Sequence, residues 1–233
     1  MKSKNKILEM LNVMQICDSN FPVGSFNHSY GMETYIRDRR IDNSSAMKEW
    51  LKAYLNNYFI YGDGLAVRMT YECIANNDLE GIWKVDNEIT VQSVASETRN
   101  GSKLVAARMI RMFELLYDNE LLQQYYKRIV NKKSFGHPAI VFSIVMYGLG
   151  FSMEEALSFH MYSTVSTLIQ NSVRAIPLGQ KDGQLLMKEC SKSFSLLVKK
   201  VKSISYDMFG ASSPGIELSQ IKHEVLEFRL FMS

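Results

Sequence analysis

"MKEWLKAYLNNYF", residues 47–59, decides the fold. Its apolar residues Met47, Trp50, Leu51, Tyr54, Leu55, Tyr58 and Phe59 recur three and four residues apart, and a period of 3.6 residues aligns them as one stripe. A half-buried strand would need strict alternation, so this stretch predicts a helix facing a core. Gly62 and Gly64 are read as its end, and Leu65, Ala66, Met69, Cys73 and Ile74 carry the spacing on to the turn at Asn76–Asp78.

Outward from this stretch the same period recurs, and strand alternation is almost nowhere. Leu79, Ile82 and Trp83 begin one helix, Leu104 to Leu116 carries another, and Leu121, Leu122, Tyr125, Tyr126 and Ile129 mark a third. In "PAIVFSIVMYGLG", 138–150, Pro138 suits a first helical turn and only Ser143 is polar over the next eleven residues, which predicts a helix buried on every side. Ser152 and Glu155 have capping-box spacing, Pro177 and Gly179 end the helix they start, and a long helix follows through Leu185, Phe194, Leu197 and Val201. With short links and no repeat or linker, residues 1–233 are expected to form an all-α single-domain helical bundle of about eight to ten helices.

Composition excludes several classes. Hydrophobic residues at 46% and charged residues at 22% are globular values, far from those of a disordered chain. A net charge of +3 with interspersed signs leaves no basic face for nucleic acid, and Lys199, Lys200 and Lys202 read as a solvated helix face. Cys17, Cys73 and Cys190 are scattered and odd in number, so buried, reduced thiols are expected rather than disulfides or a zinc knuckle. No apolar window approaches the roughly 18 residues of a membrane span, and the N-terminal stretch lacks a signal peptide's apolar segment, so a soluble cytoplasmic protein is expected.

Catalytic motifs are absent: there is no phosphate-binding loop, nucleophile elbow, H-E-x-x-H pair or dinucleotide fingerprint. His28, His137, His160 and His223 form no ligand cluster in sequence, and His160, between Phe159 and Met161, reads as a hydrogen-bonded structural histidine. No ionisable residues visibly converge on the buried helix from Pro138. The fourteen methionines read as packing. The stretch "NFPVGSFNHSYGME", 20–33, stands apart: Pro22 and Gly24 form a loop, Ser25 or Asn27 can cap a helix through Tyr30 and Glu33, and its small polar groups suggest an exposed recognition surface.

Three blocks carry a family resemblance. "LNVMQICDSNFPVGSFNHSYGMET" resembles the N-terminal signature of the urease accessory protein F (UreF) family, "NSVRAIPLGQKDGQ" resembles its basic residue before a P-L-G-Q turn, and "KHEVLEFRLFMS" resembles its terminus. Met32 replaces the usual Leu, Gly24-Ser25 replaces Gly-Gly, and "SETRNGSKL" matches the middle block only loosely.

The resemblance implies a non-enzymatic, dimeric, all-helical maturation factor without a cofactor or metal of its own. It would join a scaffold protein, UreD or UreH, to the GTPase UreG, and the complex would dock on apo-urease for nickel insertion. His223, Glu224, Arg229, Leu230 and Phe231 would contact the scaffold, their apolar side chains buried on binding and their charges at the rim. Gly24, His28, Glu33, Arg174 and Gln180 would face the GTPase, with the Arg174 guanidinium gripping a carboxylate. Two alternatives stand beside this adaptor. One is a regulator of the GTPase cycle that supplies Arg174 in trans, and the other is a ligand-binding or enzymatic bundle with a pocket beside the helix from Pro138.

Overall fold

The structure, a computed structural model, describes residues 6–233. Its α-helical segments are α1 (Lys6–Cys17), α2 (Met32–Arg37), α3 (Ser44–Tyr54), α4 (Leu65–Ala75), α5 (Leu79–Gln92), α6 (Ser96–Leu116), α7 (Glu120–Val130), α8 (Pro138–Gly148), α9 (Met153–Ala175), α10 (Gln180–Ser203) and α11 (Pro214–His223). No strand occurs among the described residues, and no helix is long and apolar enough to cross a membrane.

Between α3 and α4 the chain does not break at Gly62 and Gly64. Residues Leu55–Gly64 form a π-helical segment that joins the two into one rod, so that the described residues form ten helices. Gly64 keeps a right-handed helical conformation, and a Cβ there would stand 3.1 Å from the Val201 side chain and 3.2 Å from the Phe59 carbonyl oxygen. Its role is close approach to α10 rather than termination. The stripe itself is buried as its period requires: Met47, Trp50, Leu51, Tyr54, Leu55 and Phe59 all lie in the core.

Helix α8 runs through the centre. Every residue from Ala139 to Met146 is buried, with α4, α6, α7 and α9 packed around it. Its single polar side chain is satisfied within the helix, where Ser143 Oγ donates to the Ala139 carbonyl at 2.7 Å. The loop leading into α8 is held by Asp86, a fully buried carboxylate that accepts from the Tyr125 hydroxyl and from the Phe135 and Gly136 N–H groups at 2.6 and 3.0 Å. The Ser152–Glu155 capping box starts α9, and α10 packs back along α9 after the turn through Pro177. Lys199 and Lys202 face solvent, the latter paired with Glu154. All three cysteines are free, Cys17 and Cys190 buried and Cys73 half-buried, and burial pushes the Cys17 thiol up to about 12, which leaves it inert.

Candidate functional site

The segment from Gly24 to Glu33 is not a helix begun near Gly24. It is a 3-10 turn at Ser25–Asn27, then a reversal through Tyr30 at φ +52° and Gly31 at φ +89°, and only then α2. Neither Ser25 nor Asn27 caps that helix; Gly31 does so by its backbone alone. Gly24 has φ +76°, and a Cβ on it would fall 2.1 Å from an Arg108 guanidinium nitrogen, whereas Ser25 lies in the turn without positive φ and loses nothing to glycine. At Gly31 a Cβ would meet the Ser219 hydroxyl at 2.2 Å, so α11 packs directly on this reversal.

The reversal turns Glu33 inward. Its carboxylate accepts from the Leu230 N–H at 2.7 Å, from the Phe231 N–H at 3.1 Å and from His223 Nε2 at 3.1 Å, with Arg37 at 3.5 Å. His223 is fully buried, and its Nδ1 lies 3.0 Å from Glu97. A ring that faces carboxylate oxygens on both sides donates to both only when both nitrogens carry protons. Arg229 closes the chain of charges on Glu97; burial alone would raise that carboxyl, but hydrogen bonds from His223 and Arg229 bring it below its ordinary range.

His28 lies next to this cluster, also buried. Its Nδ1 is 2.8 Å from the Ser233 hydroxyl, its carbonyl accepts from Asn171 at 2.9 Å, and its ring fills the space above Gly101, where a Cβ would stand 2.7 Å away. Burial first, and then the Arg108 and His223 charges, lower its pKa to about 4, so the ring is neutral at pH 7. The last residues are thereby laced to the Asn20–Glu33 stretch: the Met232 N–H donates to the Asn27 carbonyl at 2.7 Å, and the Ser29 N–H donates to the Ser233 carbonyl.

Several sequence expectations change here. His28 and Glu33, expected on an exposed GTPase-facing helix, are 1% exposed and hold the residues after α11 instead. His223 and Phe231 are buried within the chain itself, so they are not available to be buried by a partner. Glu224 is no rim charge: its carboxylate accepts from Ser96 Oγ and the Glu97 N–H, both at 3.0 Å, and so caps α6. The two surfaces expected for two partners therefore share one scaffold. Arg174, in the last turn of α9, is exposed with its guanidinium 5.7 Å from the Phe231 ring centre, and Gln180 is exposed at the start of α10, outside the hydrogen bonds that knit the cluster. Leu230 is exposed and Gly24 is covered.

Among the participants to which the sequence assigned no role are Glu97, Gly101, Asn171 and Ser233. Glu97 and Gly101 lie in the loosely matching "SETRNGSKL" block, whose glutamate and glycine were the available signal.

Because His28 is neutral when folded but protonates near its ordinary value of about 6.5 when unfolded, the unfolded chain binds more protons between those values and stability falls as pH drops. The loss expected from this group between pH 7 and pH 5 is about 2 kcal/mol. His137, also lowered chiefly by burial, adds to the same slope. Urea titrations of the His28→Gln variant should show a shallower, not absent, pH dependence; an unchanged slope would contradict the assignment.

This all-α fold carries a buried polar cluster that ties the segment after α11 to the segment before α2 and to the start of α6. Residues 41–191 match the UreF family model. The urease accessory protein UreF of Streptococcus salivarius is 40% identical over 97% of this chain and 95% of its own length. Those of Lachnoclostridium phytofermentans and Ureaplasma parvum are 41% and 39% identical, over 96% and 97% of this chain and 98% and 97% of theirs. The chain belongs to the UreF family.

Proposed function

We propose that the chain is a non-catalytic adaptor of urease maturation in the cytoplasm, required for nickel insertion into apo-urease. In this reading it acts as a homodimer that joins the UreD or UreH scaffold to the UreG GTPase, and nickel is cargo rather than a resident cofactor. The observation that carries it is the segment 224–233, anchored from beneath by Glu33, His28 and Glu97 while Val225, Phe228, Leu230 and Met232 are 82%, 78%, 57% and 54% exposed. Apolar side chains on a positioned backbone present a partner with area to bury at little ordering cost. The relatives' shared name, urease accessory protein, supports the same reading.

Arg174 and Gln180 remain the proposed GTPase-facing residues, with His28 and Glu33 acting through the backbone that they hold. The Arg174 guanidinium already lies over Phe231, which favours an anchoring role over that of an activating arginine. Phe228→Asp should reduce co-purification of the scaffold protein at least about tenfold, since a charge there must be desolvated at the interface, and should leave the melting temperature unchanged. GTP hydrolysis by UreG with and without this chain separates the adaptor from the regulator. A rate stimulated by the chain and lost in Arg174→Ala would favour regulation, and an unaltered rate favours the adaptor.

A further inference from the structure

Beside the π-helical segment lies a cavity of about 130 Å³, far more than one water requires. The sequence showed no converging ionisable groups near α8, yet Asp63, Glu217, His137 and His160 all line this space, together with Tyr30, Tyr54 and Tyr58. No lysine or arginine is among its lining residues, so only the imidazoles of His137 and His160 stand against the Asp63 and Glu217 carboxylates. His160 Nε2 lies 2.8 Å from Asp63, whose side chain is 26% exposed and so within reach of an arriving solute.

The buried polar atoms of the wall define the chemistry it can receive. The Gln92 amide donates to the Phe209 carbonyl at 3.1 Å, which fixes its orientation and leaves Oε1 an acceptor with no partner. Ser93 Oγ and Thr98 Oγ1 also lack partners; both line the cavity, and Thr98 is 4% exposed. Gln92 Oε1 can only accept and so calls for a donor, whereas the two hydroxyls can accept or donate. The Tyr54 and Tyr58 rings, 5.4 Å apart, add aromatic surface of the kind that attracts a dispersed positive charge. The wall that bears Tyr58, Gly62 and Asp63 is the π-helical segment, a departure from α-helix that recurs at functional sites.

We infer that this cavity binds a small organic cation rich in N–H donors, an alkylammonium or alkylguanidinium, with its charge on Asp63, its ring-facing side on Tyr54 and Tyr58, and its donors on Gln92 and Thr98. A bare metal ion fits less well. Among the described residues no three histidine, cysteine, aspartate or glutamate side chains come together at metal-binding spacing. The site is independent of the adaptor role, and its failure leaves that role untouched.

Isothermal titration of the full-length chain with putrescine, agmatine and the neutral isostere 1,4-butanediol, at constant ionic strength, tests this. Putrescine or agmatine should bind saturably and the diol should not; Asp63→Asn should weaken the amine at least about tenfold, as expected on loss of a charge-assisted contact. Thr98→Val, nearly isosteric, should weaken it a few-fold, and it decides the matter should Asp63→Asn fail to fold by circular dichroism. Equal binding of the diol, no saturable heat with either amine, or affinities unchanged in the folded variants would each overturn the proposal, as would nickel(II) displacing the amine stoichiometrically from the same site.

Discussion

Replacing Glu33 with alanine is expected to destabilise the chain by about 3–5 kcal/mol, because several buried donors would lose their shared acceptor at once. The carboxylate is 1% exposed and is the common acceptor for His223 and for the N–H groups of Leu230 and Phe231. Without it the imidazole keeps only Glu97, and two backbone donors lose their acceptor. For a chain of this length that corresponds to a fall in melting temperature of roughly 6–20 °C. Amide hydrogen exchange should show the change concentrated at 229–233 and at the start of α2. Glu33→Gln should be intermediate, because one carbonyl acceptor survives while an NH₂ group now faces backbone donors. Unchanged protection at 229–233 in Glu33→Ala would contradict the proposed lacing.

Asp86→Ala should destabilise by a similar amount, about 3–5 kcal/mol, through a different route. Asp86 and Tyr125 are both fully buried, the Tyr125 ring stacks on Trp83 at 5.7 Å, and its hydroxyl in turn accepts from the His137 N–H at 3.1 Å. Loss of the carboxylate frees the Phe135 and Gly136 N–H groups at the point where the chain turns into the central helix. The exchange signature should therefore extend over α7 and α8, with the region 229–233 following only in global unfolding. A signature at 229–233 matching that of Glu33→Ala would show that the two clusters are not separate.

The helices were legible wherever the pattern was local. The stripe from Met47 to Phe59, Pro138 in the first turn of α8 and the Ser152–Glu155 box each depend on residues within a few turns of one another, and periodicity reads such neighbours directly. Gly64 misled because its reason for being glycine is Val201, far along the chain in α10; alone, a glycine pair in a helical pattern reads as a stop. The candidate site was half legible. Most of its residues fell within the recognised blocks that the structure does bring together, but their roles did not follow, because His28 meets Ser233 across 205 positions and Glu33 meets Phe231 across 198. A motif dense in polar residues reads equally as surface or as buried network until its partners are known, and here burial of His28 and Glu33 decides for the network. The cavity was invisible for the same reason, since Asp63 and His160 are 97 residues apart.

The proposed role in supplying nickel to urease is tested most directly by the metal content of the enzyme itself. Urease would be purified from matched cells with and without this chain, the other accessory proteins and the external nickel held constant. The adaptor reading expects folded, nickel-poor urease in its absence and restored nickel on complementation. Urease with the same nickel content in both cells would contradict it.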